Sequence, residues 1–157
     1  MKIEKLASQG KYLIFLSSAV VAISLLFNIL VLPAMSESLS RSQIEQLITR
    51  QAQAWENQDA QAIAADFADE AVFIAAGFEF LGKERIEKAA LDYFKQFHQT
   101  SVAIKNVIVE ENKGAVEWDW RDRNRKTDKE GFAEDAIVFE LVEGKIVYWR
   151  EYIEKKK

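Results

Sequence analysis

The residues most suited to chemistry are acids placed on aromatic strands. Glu151 follows Trp149 by two residues, and Asp122 follows Trp120 by two. Because side chains alternate between the two faces of a strand, each acid shares a face with its tryptophan. A carboxyl group beside apolar rings loses solvation, which raises its pKa and suits it to acid–base work near neutral pH. Both acids are therefore candidate catalytic residues.

A third candidate catalytic acid, Asp135, alternates with Ile137 and Phe139 on a neighbouring predicted strand. Such strands predict an interior with up to three convergent carboxyl groups, which is typical of a small-molecule site. In the opposing interpretation, Asp122 and Asp135 lie at the wet rim of the sheet, solvated or paired with nearby arginines. The predicted pocket lining consists of Phe73, Trp118, Trp120, Ile137, Phe139 and Trp149.

The sequence offers little for a metal, a cofactor or a nucleic acid. It contains no cysteine and one histidine, His98, so thiolate and histidine-based metal sites are excluded. No loop presents the three acids at a metal-ligand spacing, so neither a metal site nor a cofactor is predicted. The formal net charge of −4 disfavours nucleic acid as a partner.

An uncharged run, residues 12–32, precedes these strands and contains no proline. As a helix it would extend about 31 Å, enough to cross a bilayer. Lysines precede the run and few positive charges follow it, which predicts a cytoplasmic N-terminus and an extracytoplasmic domain. We interpret residues 1–35 as a membrane anchor. The alternative is a signal peptide cleaved near Ser36, which would release the domain as a secreted or periplasmic protein.

After a linker at residues 36–41, residues 42–157 are predicted to form one domain. Helical spacing of apolar residues predicts three helices, over 42–58, over a short segment capped by Asp59, and over 83–99. Two short strands are predicted at 71–75 and 78–81. Four longer strands separated by turn signals are predicted at 102–110, 115–125, 132–142 and 145–154. Consecutive strands with tight turns indicate an antiparallel sheet, and the whole pattern indicates an α+β fold.

Four stretches carry a family resemblance: Trp55 with Asp59, residues 67–73, residues 82–84 and residues 143–152. Together they resemble the nuclear transport factor 2-like superfamily, especially SnoaL-like polyketide cyclases, ketosteroid isomerases and limonene epoxide hydrolases. The resemblance implies a cone-shaped, curved antiparallel sheet wrapped around three N-terminal helices, here preceded by one hydrophobic helix. Relatives often dimerise through the outer sheet face, so a homodimer is an open expectation.

The resemblance also identifies residues that the best-known reactions would require. In the epoxide hydrolase pattern the two catalytic acids fall on Asp122 and Glu151, whereas the arginine between them falls on Trp120. The tyrosine and asparagine that hold the water in that pattern fall on Phe73 and Ala75. Neither side chain can hydrogen-bond a nucleophilic water, so that mechanism is not expected here.

The isomerase pattern places its oxyanion-side acid on Ile137, so that reaction lacks a donor as well. We therefore predict a membrane-tethered or exported SnoaL-like domain that binds a small apolar molecule in an aromatic-lined pocket. The alternative is a small, cofactor-free acid–base enzyme of the cyclase, isomerase or hydrolase type that uses Glu151 and Asp122. In a third interpretation, the cone is filled by its own side chains.

Overall fold

A computed structural model describes residues 39–156, which form three helices and six strands. The helices are α1 (Arg41–Glu56), α2 (Ala60–Ala65) and α3 (Lys83–Gln96). The strands are β1 (Phe67–Ala75), β2 (Phe78–Leu81), β3 (Phe97–Glu110), β4 (Lys113–Asn124), β5 (Glu130–Val142) and β6 (Lys145–Lys155). The predicted hydrophobic helix, residues 12–32, lies outside the described residues. Within residues 39–156, no helix has the length and apolar character needed to cross a membrane.

The first helix begins with a capping box at Ser40. The Ser40 hydroxyl accepts from the Gln43 backbone N–H at 3.3 Å, and the Gln43 side chain accepts from the Ser40 N–H at 2.8 Å. These two bonds satisfy amides that the first turn leaves free. Ser42 with Glu45 also fits the sequence pattern of a capping box, but the box that forms lies two residues earlier.

The strand order is β2-β1-β6-β5-β4-β3, and the curved sheet is not closed. Strands β3 to β6 form the predicted antiparallel meander. The expectation of a wholly antiparallel sheet is wrong at one pair, because β1 runs parallel to β6, with Phe73 opposite Trp149. A tight turn forces antiparallel pairing, but no such turn joins these two strands, which are separated by most of the domain.

Two local irregularities shift the predicted boundaries and faces. Helix α3 ends at Gln96 rather than Gln99, and β3 starts at once with a register shift between His98 and Ser101. In β6, a second shift leaves Val147 as an extra residue, so that Ile146 is fully buried opposite Leu141. A strict period of two would place Ile146 on the outer face, and the bulge reverses that prediction.

The core lies between the helices and the inner face of the sheet. Helix α1 contributes apolar side chains at the predicted helical spacing, including Ile44, Leu47, Ile48 and Trp55, all less than 8% exposed. The inner faces of the last three strands supply large residues that are at most 2% exposed, namely Val116, Trp118, Ile137, Phe139, Leu141, Ile146 and Trp149. Asp122, Asp135 and Glu151 therefore lie beside the buried aromatic rings of the inner sheet face.

Candidate functional site

The pairing of β4, β5 and β6 brings the candidate acids to one face of the sheet. Asp135 lies opposite Trp118 on one side, and Ile137 lies opposite Glu151 on the other. Glu151 and Asp135 are thus diagonal neighbours on the inner face, which places their Cα atoms about 7–8 Å apart. The period-two interpretation of the sequence therefore gave the correct face for both acids.

Each of the three tryptophans on this face donates its indole N–H to a carboxyl group. The pairs are Trp118 to Asp135 at 3.2 Å, Trp120 to Asp122 at 3.2 Å, and Trp149 to Glu151 at 2.9 Å. A buried indole N–H needs an acceptor, and a buried carboxyl group needs donors, so each pair satisfies both requirements in part. The pair of Trp120 with Asp122 lies within β4 and the pair of Trp149 with Glu151 within β6. The pair of Trp118 with Asp135 joins β4 to β5.

Tyr93 of α3 also hydrogen-bonds to Asp122 and Trp120 through its hydroxyl group. Its hydroxyl donates a short hydrogen bond to Asp122 Oδ2 and accepts from Trp120 Nε1 at 3.0 Å. Burial first, and then the bond to Asp122, raise the pKa of Tyr93, so its hydroxyl keeps its proton. Tyr93 was not among the site residues predicted from the sequence. Its position three residues after the buried Ala90, within the apolar stripe of α3, is the signal that could have found it.

Asp135 is an enclosed acid, only 5% exposed. Its Oδ2 accepts from Trp118, whereas its Oδ1 is buried with no hydrogen-bond partner among the described residues. Burial raises the pKa of Asp135 to about 6, although the Trp118 bond and the charge of Lys155 lower it. The interpretation of Asp135 as a solvated acid at the rim of the sheet is therefore wrong.

Glu151 is the most strongly perturbed carboxyl group of this face. The residue is partly exposed, and desolvation by the surrounding side chains raises the pKa of its carboxyl group to about 8. The Trp149 bond lowers the pKa of Glu151, and the charge of Asp135 raises it. The charge of Glu151 also contributes slightly to the raised pKa of Tyr93. At neutral pH Glu151 is mainly protonated and Asp135 mainly ionised.

Asp122 is half-buried, and its position depends on a close approach by the backbone of β5. A Cβ atom added to Gly131, the residue opposite it, would lie 2.5 Å from Asp122 Oδ1. The predicted alternative paired this acid with Arg123 or Arg125. Instead, Arg123 contacts Asp128, and Arg125 donates to backbone carbonyl groups at the end of α3.

The predicted pocket lining divides into a closed part and an open part. Five of its residues are at most 5% exposed, namely Phe73, Trp118, Ile137, Phe139 and Trp149. Trp118 contacts both Trp149 and Trp120, with ring centroids 5.8 and 6.2 Å apart, so the rings pack on one another. Four side chains are partly exposed and mark the accessible end of the interior: Tyr93, Trp120, Asp122 and Glu151. Within residues 39–156, no cluster of three or more acidic or histidine side chains is placed to hold a metal ion.

Comparisons with known proteins agree with this geometry. A family model described as a SnoaL-like domain matches residues 48–149. No curated protein matches the chain. One similar solved structure is a protein with a ketosteroid isomerase-like fold from Catenulispora acidiphila, in complex with trimethylamine. It superposes with a TM-score of 0.65 and 16% sequence identity, and the match covers 68% of this chain and 84% of that protein.

Two further structures have similar scores. An LEH-like epoxide hydrolase from M. tuberculosis has a TM-score of 0.63 and 18% identity, covering 72% of this chain and 84% of its own. A putative isomerase from Bacillus subtilis has a TM-score of 0.65 and 20% identity, covering 72% of this chain and 87% of its own. Identities at this level establish a shared fold.

Proposed function

Because the chain belongs to the SnoaL-like domain family, we propose that its domain binds a small molecule at the accessible end of the aromatic and acidic interior. The observation that carries this proposal is the unpaired oxygen of Asp135. Buried polar atoms are nearly always hydrogen-bonded, and an unpaired one calls for a partner that fills the space. Among the described residues Asp135 Oδ1 is such an atom, and its diagonal neighbour on the sheet is a second, partly exposed acid, Glu151.

The chemistry of the site favours a molecule with an apolar body and one polar group. The ring of Trp120, which is partly exposed, offers apolar contact area, as aromatic side chains do in most ligand pockets. Glu151 supplies a proton donor at neutral pH and Asp135 an acceptor, because their pKa values are about 8 and about 6. Trimethylamine bound to the similarly folded Catenulispora acidiphila protein supports small-molecule binding by this fold.

Native mass spectrometry of the full chain tests the proposal. We expect a co-purifying species of small-molecule mass, and we expect its extraction to change the fluorescence of the interior tryptophans. The Glu151→Gln variant should carry less of this species, whereas Glu154→Gln, an exposed acid of the same strand, should carry the wild-type amount. Equal retention by both variants would exclude Glu151 from the site.

An acid–base enzyme is the second candidate, and the pair of pKa values favours it. Two neighbouring carboxyl groups that titrate at about 6 and about 8 provide a base and an acid at the same pH. The pair would be Asp135 with Glu151, because Asp122 already accepts from Tyr93 and Trp120. Turnover of a carbonyl compound or epoxide with a bell-shaped pH profile, lost in Glu151→Gln and in Asp135→Asn, would favour catalysis over binding alone.

We also propose that residues 12–32 tether this domain to a membrane, with the domain on the extracytoplasmic side. The support is the uncharged run itself and the lysines before it. A reporter enzyme fused after Lys157 that is active only outside the cytoplasm is the expected result. Cytoplasmic activity alone would refute the orientation. The homodimer implied by the family resemblance remains a prediction that size-exclusion chromatography with light scattering would test.

A further inference from the structure

The interior acids have no cationic partner within residues 39–156. The ion pairs of this part of the chain join other groups, and none includes Asp122, Asp135 or Glu151. Their hydrogen-bond donors are the neutral indole and phenol groups of the same cluster. Neutral donors leave the negative charge uncompensated, and an uncompensated charge is costly in an enclosed space.

Asp135 is the acid whose negative charge is least compensated by its surroundings. It is 5% exposed, and within residues 39–156 one of its oxygens has no partner and the only cation that acts on it is Lys155, an exposed residue at the end of β6. The charge of Lys155 affects Asp135 less than the Trp118 hydrogen bond does. A neutral apolar ligand would leave the buried oxygen unpaired, whereas a positively charged one would compensate it.

The aromatic residues around the acids add a second attraction for positive charge. The rings of Trp120 and Tyr93 are 5.8 Å apart at 74°, and those of Trp118 and Trp120 are 6.2 Å apart at 41°. Rings inclined in this way present faces in different directions, and ring faces attract cations. Each indole also donates its N–H to a carboxyl group, which polarises the ring toward greater electron density.

We propose that the ligand of this interior is an organic cation, a tertiary or quaternary amine with small apolar substituents, held between the carboxyl groups of Asp135 and Glu151 and the faces of the neighbouring tryptophans. This inference rests on the proposed function, since it specifies the class of small molecule for the same site. Alkylated ammonium groups are favoured over a primary ammonium, which is compact and strongly hydrated and therefore costly to transfer into an aromatic interior.

The proposal fixes the sign of a pH dependence. A quaternary ammonium does not titrate, so its affinity follows the ionisation of the site. The charged and titratable groups that act on this pair are Asp135 on β5, Tyr93 on α3 and Lys155 further along β6, and Tyr93 stays neutral. Ionisation of Asp135 and Glu151 rises through about pH 6 and about pH 8, so affinity for the cation rises over this range. A neutral ligand that accepts a proton from Glu151 would show the opposite trend.

Two probes of the same shape separate charge from hydrophobic fit. Choline and its uncharged isostere 3,3-dimethylbutan-1-ol differ by the exchange of a quaternary nitrogen for carbon. Calorimetric and tryptophan-fluorescence titrations of the full chain should give about tenfold or greater preference for choline. At about pH 9, where the Glu151 carboxyl group is ionised, the Glu151→Gln variant should lose most of this preference. The matched Glu154→Gln variant removes the same charge from an exposed position and should retain it.

The outcomes separate this inference from the proposed function. Equal affinity for the two probes, a preference for the alcohol, or no response to choline at millimolar concentration would overturn the cation proposal. Binding of the alcohol would still leave a small-molecule site in place. Choline affinity that falls between about pH 6 and about pH 9 would also overturn the proposal, because the site becomes more negative over that range. Thermal unfolding of each variant verifies that it is folded.

Discussion

Trp149 donates its indole N–H to Glu151 at 2.9 Å, from a position two residues earlier on the same strand. The bond links a ring that is 1% exposed to the most strongly perturbed acid of the interior. It also opposes the burial effect, because a donor to a carboxylate stabilises the ionised form. The two residues therefore set the ionisation of the candidate site together.

Replacing Trp149 with Phe should raise the pKa of Glu151 above its value of about 8, because the substitution removes the bond that lowers it. The ring contact with Phe139, at 6.1 Å between centroids, is retained in part by the smaller ring. Carbon-13 NMR of the carboxyl group measures the change directly. Trp55→Phe is the matched control, since the Trp55 ring packs beside Tyr93 and Phe94 and makes no indole bond to these acids. An unchanged or lower pKa in Trp149→Phe would contradict the role of the indole bond.

Stability should fall as pH rises through the neutral range. The folded state holds a proton on Glu151 up to about pH 8, whereas the unfolded state releases it near the ordinary value of 4.5. The unfolded state therefore binds fewer protons between these values, and the free energy of unfolding falls by up to about 1.4 kcal/mol per pH unit. Asp135 adds to the slope up to about pH 6. Urea unfolding at a series of pH values measures this slope.

The Glu151→Gln variant provides the control for that pH dependence. It should be less sensitive to pH than the wild type above about pH 6 and relatively more stable at alkaline pH. Glu154→Gln, at an exposed position, should follow the wild-type curve. A wild-type stability that is flat or rising between about pH 6 and about pH 8 would contradict the buried, protonated state of Glu151.

Tyr93→Phe should destabilise the domain by about 1–3 kcal/mol, because Asp122 loses one of its two interior donors and Trp120 loses an acceptor. The equivalent change at Tyr152, which is 52% exposed on the outer face, should alter stability by less than about 0.5 kcal/mol. Chemical denaturation compares the two variants. Equal effects at both positions would mean that the Tyr93 hydroxyl bond contributes little to folding.

Gly131→Ala should cost about 1–3 kcal/mol of stability, because the new Cβ would lie 2.5 Å from Asp122 Oδ1 and displace the carboxyl group. The same substitution in an Asp122→Ala background should cost much less, since the obstructing atom is gone. A double-mutant cycle gives this coupling energy. If the two substitutions are additive, the Asp122 carboxyl group does not occupy the space above Gly131.

Local patterns in the sequence predicted the parts of the fold that depend on neighbouring residues. The meander of β3 to β6 follows from turn signals, and the inward direction of Asp135 and Glu151 follows from strict alternation on either side of them. The apolar stripe of α1 follows from helical spacing. Each of these properties is determined by residues within one element or one turn, which is the range over which periodicity carries information.

The features that the sequence did not predict depend on contacts between distant segments. The parallel pairing of β1 with β6 brings together strands about 75 residues apart, as Phe73 opposite Trp149 illustrates. The Tyr93 to Asp122 bond joins a helix to a strand across 29 residues. The bulge at Val147 reverses the alternation at Ile146, which a strict period of two would place on the outer face. The burial of Asp135 also required knowledge of what packs above it.

The most direct test is a carbon-13 NMR titration of the Glu151 carboxyl group in the full chain, with and without choline, assigned by the Glu151→Gln variant. A buried acid of the ligand site should titrate at about pH 8 in the free protein, and choline should lower that value. A pKa near the ordinary value of 4.5 that choline leaves unchanged would contradict both the desolvation of Glu151 and its role in binding.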